Sequence, residues 1–150
     1  MIVAKGYISE DGFWKIEARL HFDSKEYPNK IEFLIDSGSG STILSPHTAD
    51  ELGIAFDDLK YYNKLQLMGP TGCMGRQLPG ANLIFNTKSV NILELCPRMY
   101  MADPQKWESD YNLIGQDILK SFNVVSNNKT KIVMLILSRD KYEFLNKYKY

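Results

Sequence analysis

Ile31-Glu32-Phe33-Leu34-Ile35-Asp36-Ser37-Gly38-Ser39-Gly40-Ser41 runs from an apolar strand straight into a carboxylate followed only by small residues. Such a strand delivers one acid to the end of a sheet, after which the backbone must turn sharply. Gly38 is expected to supply the unusual dihedrals of that turn at little steric cost. The stretch occurs once, in a chain of 150 residues. Asp36 therefore works alone or with the same residue of a second subunit.

Strand signals surround this stretch. Trp14, Ile16, Ala18, Leu20 and Phe22 alternate with Lys15, Glu17, Arg19 and His21, the period of two of a half-buried strand. His21 falls on the polar face and reads as a solvated side chain. Asp11-Gly12 reads as a hairpin turn after the shorter run Ile2 to Ile8. Downstream, Ser45 can cap a short helix, Pro46 suits its first position and Gly53 can end it. A strand pair is expected from Leu65-Gln66-Leu67 and from Leu78 to Phe85. Between them Gly69, Pro70, Gly72 and Gly75 mark a hairpin tip. Val90 to Leu95 continues the strand pattern, and Cys96 to Asp110 reads as irregular, broken by Pro97 and Pro104. Leu113-Ile114-Gly115 is a short strand with a helix expected over Asp117 to Phe122. Ile132 to Leu137 is apolar on both faces, as in a central strand. Tyr142, Leu145 and Tyr148 suggest a short amphipathic helix.

The bulk composition is that of a folded chain, 44% hydrophobic and 24% charged, and its length suits one domain over residues 1–150. Eighteen basic residues balance eighteen acidic ones, so net charge argues for neither nucleic acid nor an anionic membrane as partner. Cys73 and Cys96, with His21 and His47, lack zinc spacing. No metal or cofactor is expected, and the thiols read as free in a reducing cytoplasm. Met1 to Gly6 lacks the pattern of a signal peptide. The run Ile132 to Leu137 is too short to cross a bilayer.

Leu34-Ile35-Asp36-Ser37-Gly38-Ser39 resembles the Asp-Thr/Ser-Gly motif of aspartic proteases. Asn112-Leu113-Ile114-Gly115-Gln116-Asp117-Ile118-Leu119 resembles their second signature, in which two apolar residues and a glycine precede a short helix. One copy of each, with a glycine-rich hairpin between, is similar to the retropepsin-like group, whose members are homodimers. The resemblance covers about Phe33 to Val125. It implies an all-β, closed-barrel-like acid protease half with one or two short helices and a flap hairpin. It implies Asp36 as the catalytic residue, with Ser37, Gly38 and Ser39 supporting its loop and Leu113, Ile114 and Gly115 forming the second signature. Ser37 would bond across the dimer. Thr71, Gly72, Cys73, Met74 and Gly75 would form a flap closing over an extended peptide or protein substrate.

The chemistry has an independent rationale. Hydrolysis of an amide without metal or covalent intermediate needs a base for water and an acid for the departing nitrogen. A carboxylate beside a carboxylic acid supplies both. Two carboxyls a few ångströms apart share one proton as a coupled pair, and a twofold axis turns one aspartate into that pair. Ser39 stands where pepsin-like members carry a hydroxyl; donation to the carboxylate would shift activity toward acid. Two positions depart from the group. An acidic residue four after the aspartate and an arginine after the glycine often pair; here they are Gly40 and Gln116, so no buried charge is stranded. The chain also continues further past its last strand than in compact viral members, which leaves a different dimer interface open.

Other readings compete. Asp-Ser-Gly are ordinary turn formers. Asp57-Asp58 reads as a solvated loop, Asp110 as exposed or structural, and Asp117 as a carboxylate at a helix start. Asp36 to Thr42 also resembles the phosphate loop of actin-like ATPases, although that fold needs two large lobes. A catalytically inactive retropepsin-like module for dimerisation or peptide binding is the remaining alternative.

Overall fold

The computed structural model describes residues 1–59, 64–66, 74–88, 93–107, 109–141 and 143. In chain order the strands are β1 (Ile2–Ile8), β2 (Trp14–Phe22), β3 (Lys25–Glu26), β4 (Ile31–Ile35) and β5 (Thr42–Leu44). Then come helix α1 (Pro46–Glu51), a 3-10 turn at Phe56–Leu59, and strands β6 (Lys64–Gln66), β7 (Met74–Gln77), β8 (Asn82–Phe85), β9 (Leu93–Leu95) and β10 (Met99–Ala102). β11 (Asn112–Ile114), helix α2 (Gln116–Leu119), β12 (Asn123–Asn127) and β13 (Ile132–Leu137) complete the chain.

The strands run β12-β13-β1-β2-β4-β11-β5-β10-β7-β6, with β3 and β8 on β2, and β9 on β8. The fold is mostly β with short helices, as expected. Among the described residues the strand path does not close, because β12 and β6 end it. β2 serves two layers. Its first half pairs with β1 and β4, and its second half pairs with β3 and β8. Its alternation keeps one face, Ile16, Ala18 and Leu20, buried through both halves. The core gathers Phe33, Leu20, Leu44, Phe85, Met99, Ile114 and Leu135. A smaller cluster of Ile43, Tyr100 and Ala102, with Trp107 and Leu113 against it, lies on the other side of β5.

Local chemistry sets several boundaries. Ser45 caps α1 by accepting from the Thr48 amide at 3.1 Å, Pro46 sits in its first turn, and Gly53 adopts φ +75° just past its end. Gly12, at φ +88°, turns β1 into β2. β13 is central between β12 and β1, as its two apolar faces imply.

Three expectations are corrected. The partner of β6 is Met74–Gln77, not Leu78 to Phe85, with Leu65 opposite Gly75. The Pro79-Gly80 turn, with Gly80 at φ +68°, separates the latter segment, and β8 packs on β2 instead. Cys96 to Asp110 contains β10, four buried residues between Pro97 and Pro104, parallel to β5 and antiparallel to β7. His21 is half-buried between β3 and β8, with Nδ1 shielded from solvent and no hydrogen-bond partner among the described residues. The helix expected at Tyr142, Leu145 and Tyr148 lies outside the described residues. Among them, no helix is long and apolar enough to cross a membrane.

Candidate active site

Asp36 stands at the end of β4, half-buried, with Ser37 and Gly38 exposed beside it. β11 lies between β4 and β5, parallel to the first and antiparallel to the second. The chain from Asp36 to Ser41 therefore has to loop around the end of β11. The Asp36 amide donates to the Ile114 carbonyl at 3.0 Å, and the Gln116 amide donates to the Ser39 carbonyl at 2.8 Å. The two sequence signatures are thus joined by backbone.

Gly115 explains why the second signature needs a glycine. Its φ of −103° and ψ of −171° suit any residue. Space is what it lacks: a Cβ would lie 2.5 Å from the Ser41 carbonyl oxygen and 2.7 Å from that of Ser39. Leu113 and Ile114 hold β11 in place from the small cluster and the main core.

Gly38 acts differently from expectation. Its φ is not positive; the only described glycines that are so are Gly12, Gly53 and Gly80. Its amide donates to Asp36 Oδ1 at 2.9 Å, and a Cβ there would come within 3.2 Å of that oxygen. The tight turn needs room rather than a left-handed backbone. Ser39 also departs from expectation. Its hydroxyl donates to the Ser41 carbonyl at 2.7 Å and not to Asp36, so it braces the loop from within. Ser37 is exposed, and its carbonyl accepts from Gln116 Nε2 at 3.0 Å. The neutral Gln116 thereby ties α2 to the catalytic-loop candidate without a charged partner at Gly40.

Asp117 lies in the first turn of α2 and accepts from the Ile118 amide at 3.0 Å and from Thr42 Oγ1 at 2.9 Å. Burial raises its carboxyl above the ordinary value; the hydroxyl of Thr42 and the nearby amides of Thr42, Ile118 and Arg98 only partly offset this. Its second oxygen, Oδ2, is buried and has no hydrogen-bond partner among the described residues.

Sequence reading gave Asn112 no role, yet it organises the surroundings. Buried, it accepts from the Ser45 amide at 2.8 Å and donates to the Glu32 carbonyl at 3.0 Å and Thr48 Oγ1 at 2.9 Å. One side chain thus joins β4, β11 and the cap of α1. Its signal was its place at the head of the second signature, which assigned it no contacts.

Polar and aromatic groups flank β4. Glu32 accepts from the Tyr7 hydroxyl and pairs with Lys15 at 3.1 Å. Burial, reinforced by Glu32, pushes Tyr7 up to about 12. Burial works against the ionised Glu32, but Tyr7 and Lys15 together bring it below its ordinary range. Phe13 and Tyr111 are exposed and pack ring to ring at 5.8 Å, with Lys15 Nζ 5.9 Å from the Tyr111 centroid.

Of the expected flap, Thr71, Gly72 and Cys73 lie outside the described residues. Met74 and Gly75 belong to β7, in the stem of the hairpin. Arg76 anchors that stem, donating to the Phe56 carbonyl at 2.9 Å with its guanidinium 4.0 Å from the Phe56 ring centroid. Asp57 and Asp110 are exposed, as the sequence suggested.

An open sheet with β11 threaded between β4 and β5 has the fold of retropepsin-like aspartic proteases. A retropepsin-like aspartic protease from Rickettsia conorii superposes with a TM-score of 0.56, at 18% sequence identity, over 89% of this chain and 89% of that one. Basic 7S globulin from soybean aligns over 91% of this chain and 42% of its own, at 12% identity and a TM-score of 0.48. No protein-family model matches the sequence, and no curated protein sequence matches it.

Proposed function

We propose that this chain is one half of an aspartic endopeptidase. Asp36 from each of two copies forms a dyad sharing one proton. The ionised carboxyl takes a proton from water as its oxygen attacks the peptide carbonyl. The protonated carboxyl stabilises the developing oxyanion, and a proton then passes to the amide nitrogen as the C–N bond breaks. No metal or cofactor enters this reading.

The observation that carries it is the placement of Asp36. It ends a core strand, is half-buried, and is held by a loop closed on Gly115. Its Oδ1 takes the Gly38 amide, and among the described residues no side chain donates to it and no cation pairs with it. A dyad needs a carboxyl free of a salt bridge. In this reading the β6–β7 hairpin is the stem of the flap. Phe13 and Tyr111 offer apolar surface to an extended peptide, which backbone hydrogen bonds would align as an added strand. The sequence's two cysteines do not make a disulfide framework, and the cytoplasm is the location we assign. A single functional domain over residues 1–150 is part of the same reading. The fold likeness gives no support to the phosphate-loop alternative.

The test is cleavage of an unstructured protein between acid and neutral pH, with a pepstatin-type inhibitor and Asp36→Asn as controls. Inhibition by the first and a loss of about 10²–10⁴-fold or more from the second are expected. Cleavage indifferent to both overturns the mechanism. No cleavage by a dimer that still binds peptide favours the inactive-module reading.

A further inference from the structure

The sheet forks where β2 changes partners. Its first half pairs with β1 at Tyr7 and Ile8, and with β4 as far as Ala18 opposite Ile31. From Arg19 onward it pairs with β8 instead. The chain leaving β8 then meets β1 at a single bridge, Thr87 opposite Ala4. Between these pairings a cavity of about 180 Å³ opens in the fork. That is far more than the roughly 10–15 Å³ one water molecule needs.

Ala18 and Ile84, both buried, give the cavity its apolar surface. The rest of the lining is polar. Lys5, Arg19 and Lys30 are three cations against the one carboxylate of Glu17, and the Asn86 amide stands among them. They come from β1, from β2, from the residues leading into β4 and from the end of β8, so the fold gathers them and no local run of sequence does. In a chain whose charges balance overall, three against one is a local excess.

These cations are not consumed by internal pairing. The ion pairs among the described residues include neither Lys5 nor Lys30. Arg19 is half-buried, and Glu26 holds its Nη1 at 2.8 Å. That contact orients the guanidinium, whose remaining N–H groups make no other hydrogen bond among the described residues. Cations converging from different strands suit an anion with oxygens on several sides, and a guanidinium matches two phosphate oxygens at once. Glu17 repels a bare anion but accepts from a hydroxyl, and the Asn86 amide can do the same or donate. The lining thus fits a phosphate carried on a hydroxylated organic group.

We propose that this fork binds a small phosphomonoester, with its phosphate on Lys5, Arg19 and Lys30 and its hydroxyls on Glu17 and Asn86. The site is separate from the candidate active site. Lys30 precedes β4 and Asp36 follows it, about 20 Å away along an extended strand. The proposal goes beyond the protease reading and stands whether or not the chain cleaves peptide.

Isothermal titration calorimetry with glycerol phosphate, at fixed ionic strength, tests it. Saturable one-to-one binding at millimolar ligand or below is expected, with inorganic phosphate competing more weakly. Lys5→Ala and Lys30→Ala, both at exposed positions, should each weaken binding about 10-fold or more. Lys129→Ala removes an equally exposed cation elsewhere and should change nothing. Arg19→Lys keeps the charge but loses the two-pronged donor, and should also weaken binding. Glu17→Gln should tighten inorganic phosphate by removing a like charge, and should narrow its gap to glycerol phosphate. Thermal unfolding without ligand checks that each variant folds, and the two lysine variants decide if Arg19→Lys does not. No saturable binding, or equal weakening by Lys129→Ala, overturns the site. Inorganic phosphate binding as tightly as glycerol phosphate overturns the role given to Glu17 and Asn86.

Discussion

Replacing Gly115 by alanine isolates the contact that joins the two signatures. The new Cβ would meet the Ser41 carbonyl oxygen at 2.5 Å and that of Ser39 at 2.7 Å, where ordinary contact starts at 3.4 Å. The loop must retreat by 3.4 − 2.5 = 0.9 Å at Ser41 and 3.4 − 2.7 = 0.7 Å at Ser39. Neither carbonyl is free to do so, since Gln116 N holds one and Ser39 Oγ the other. Overpacking of this kind costs about 1–3 kcal/mol. For a chain of this length that is a drop of about 2–12 °C in Tm. The displaced segment carries Asp36, and a shift near 1 Å in a reacting group costs about 10²-fold in rate. Thermal unfolding and peptide cleavage measure the two effects. Gly40→Ala is the stability control, because its Cβ would meet nothing within 4 Å; its change should stay within about 0.5 kcal/mol. If Gly115→Ala melts and cleaves like Gly40→Ala, the threaded loop does not have the tightness described.

Asp117→Asn should alter the pH dependence of stability in a defined direction. Burial raises the folded-state value of Asp117, so the folded protein holds that proton more tightly than the unfolded chain. The stability this gives is complete below the ordinary value of 3.8 and is lost as pH rises through the raised folded value. Denaturant titrations should show wild type losing stability relative to Asp117→Asn across that window, then running parallel; a constant difference would refute it. Asn112→Ala strands the buried Ser45 amide and removes the donors to Glu32 and Thr48. A loss of at least about 1–3 kcal/mol in urea unfolding is expected, and an unchanged midpoint would deny Asn112 its organising role.

What the sequence revealed follows from where physics leaves a periodic mark. β1, β2, β4 and β13 bury one or both faces in regular order, and their extents were readable from that order. α1 was readable because Ser45, Pro46 and Gly53 each do a separate local job. β10 was hidden because its four residues are too few to show a period and lie between two prolines. β12 was hidden because its residues face solvent, so nothing selects an apolar alternation. Asp36 and Gly115 were identifiable by resemblance. The reason for Gly115 and the partners of Asn112 depend on long-range approach that no local pattern encodes.

The threading of β11 has a bearing on biosynthesis. The Asp36 loop closes on groups up to 79 residues further along, such as Gln116 on Ser37, so Asp36 is synthesised long before the strand that shapes its surroundings. A partial chain ending ahead of Asn112 holds the carboxylate but not the strand and glycine on which its loop closes. Distant pairings of this kind also form late and slowly. Any hydrolytic competence is therefore deferred until translation has passed β11.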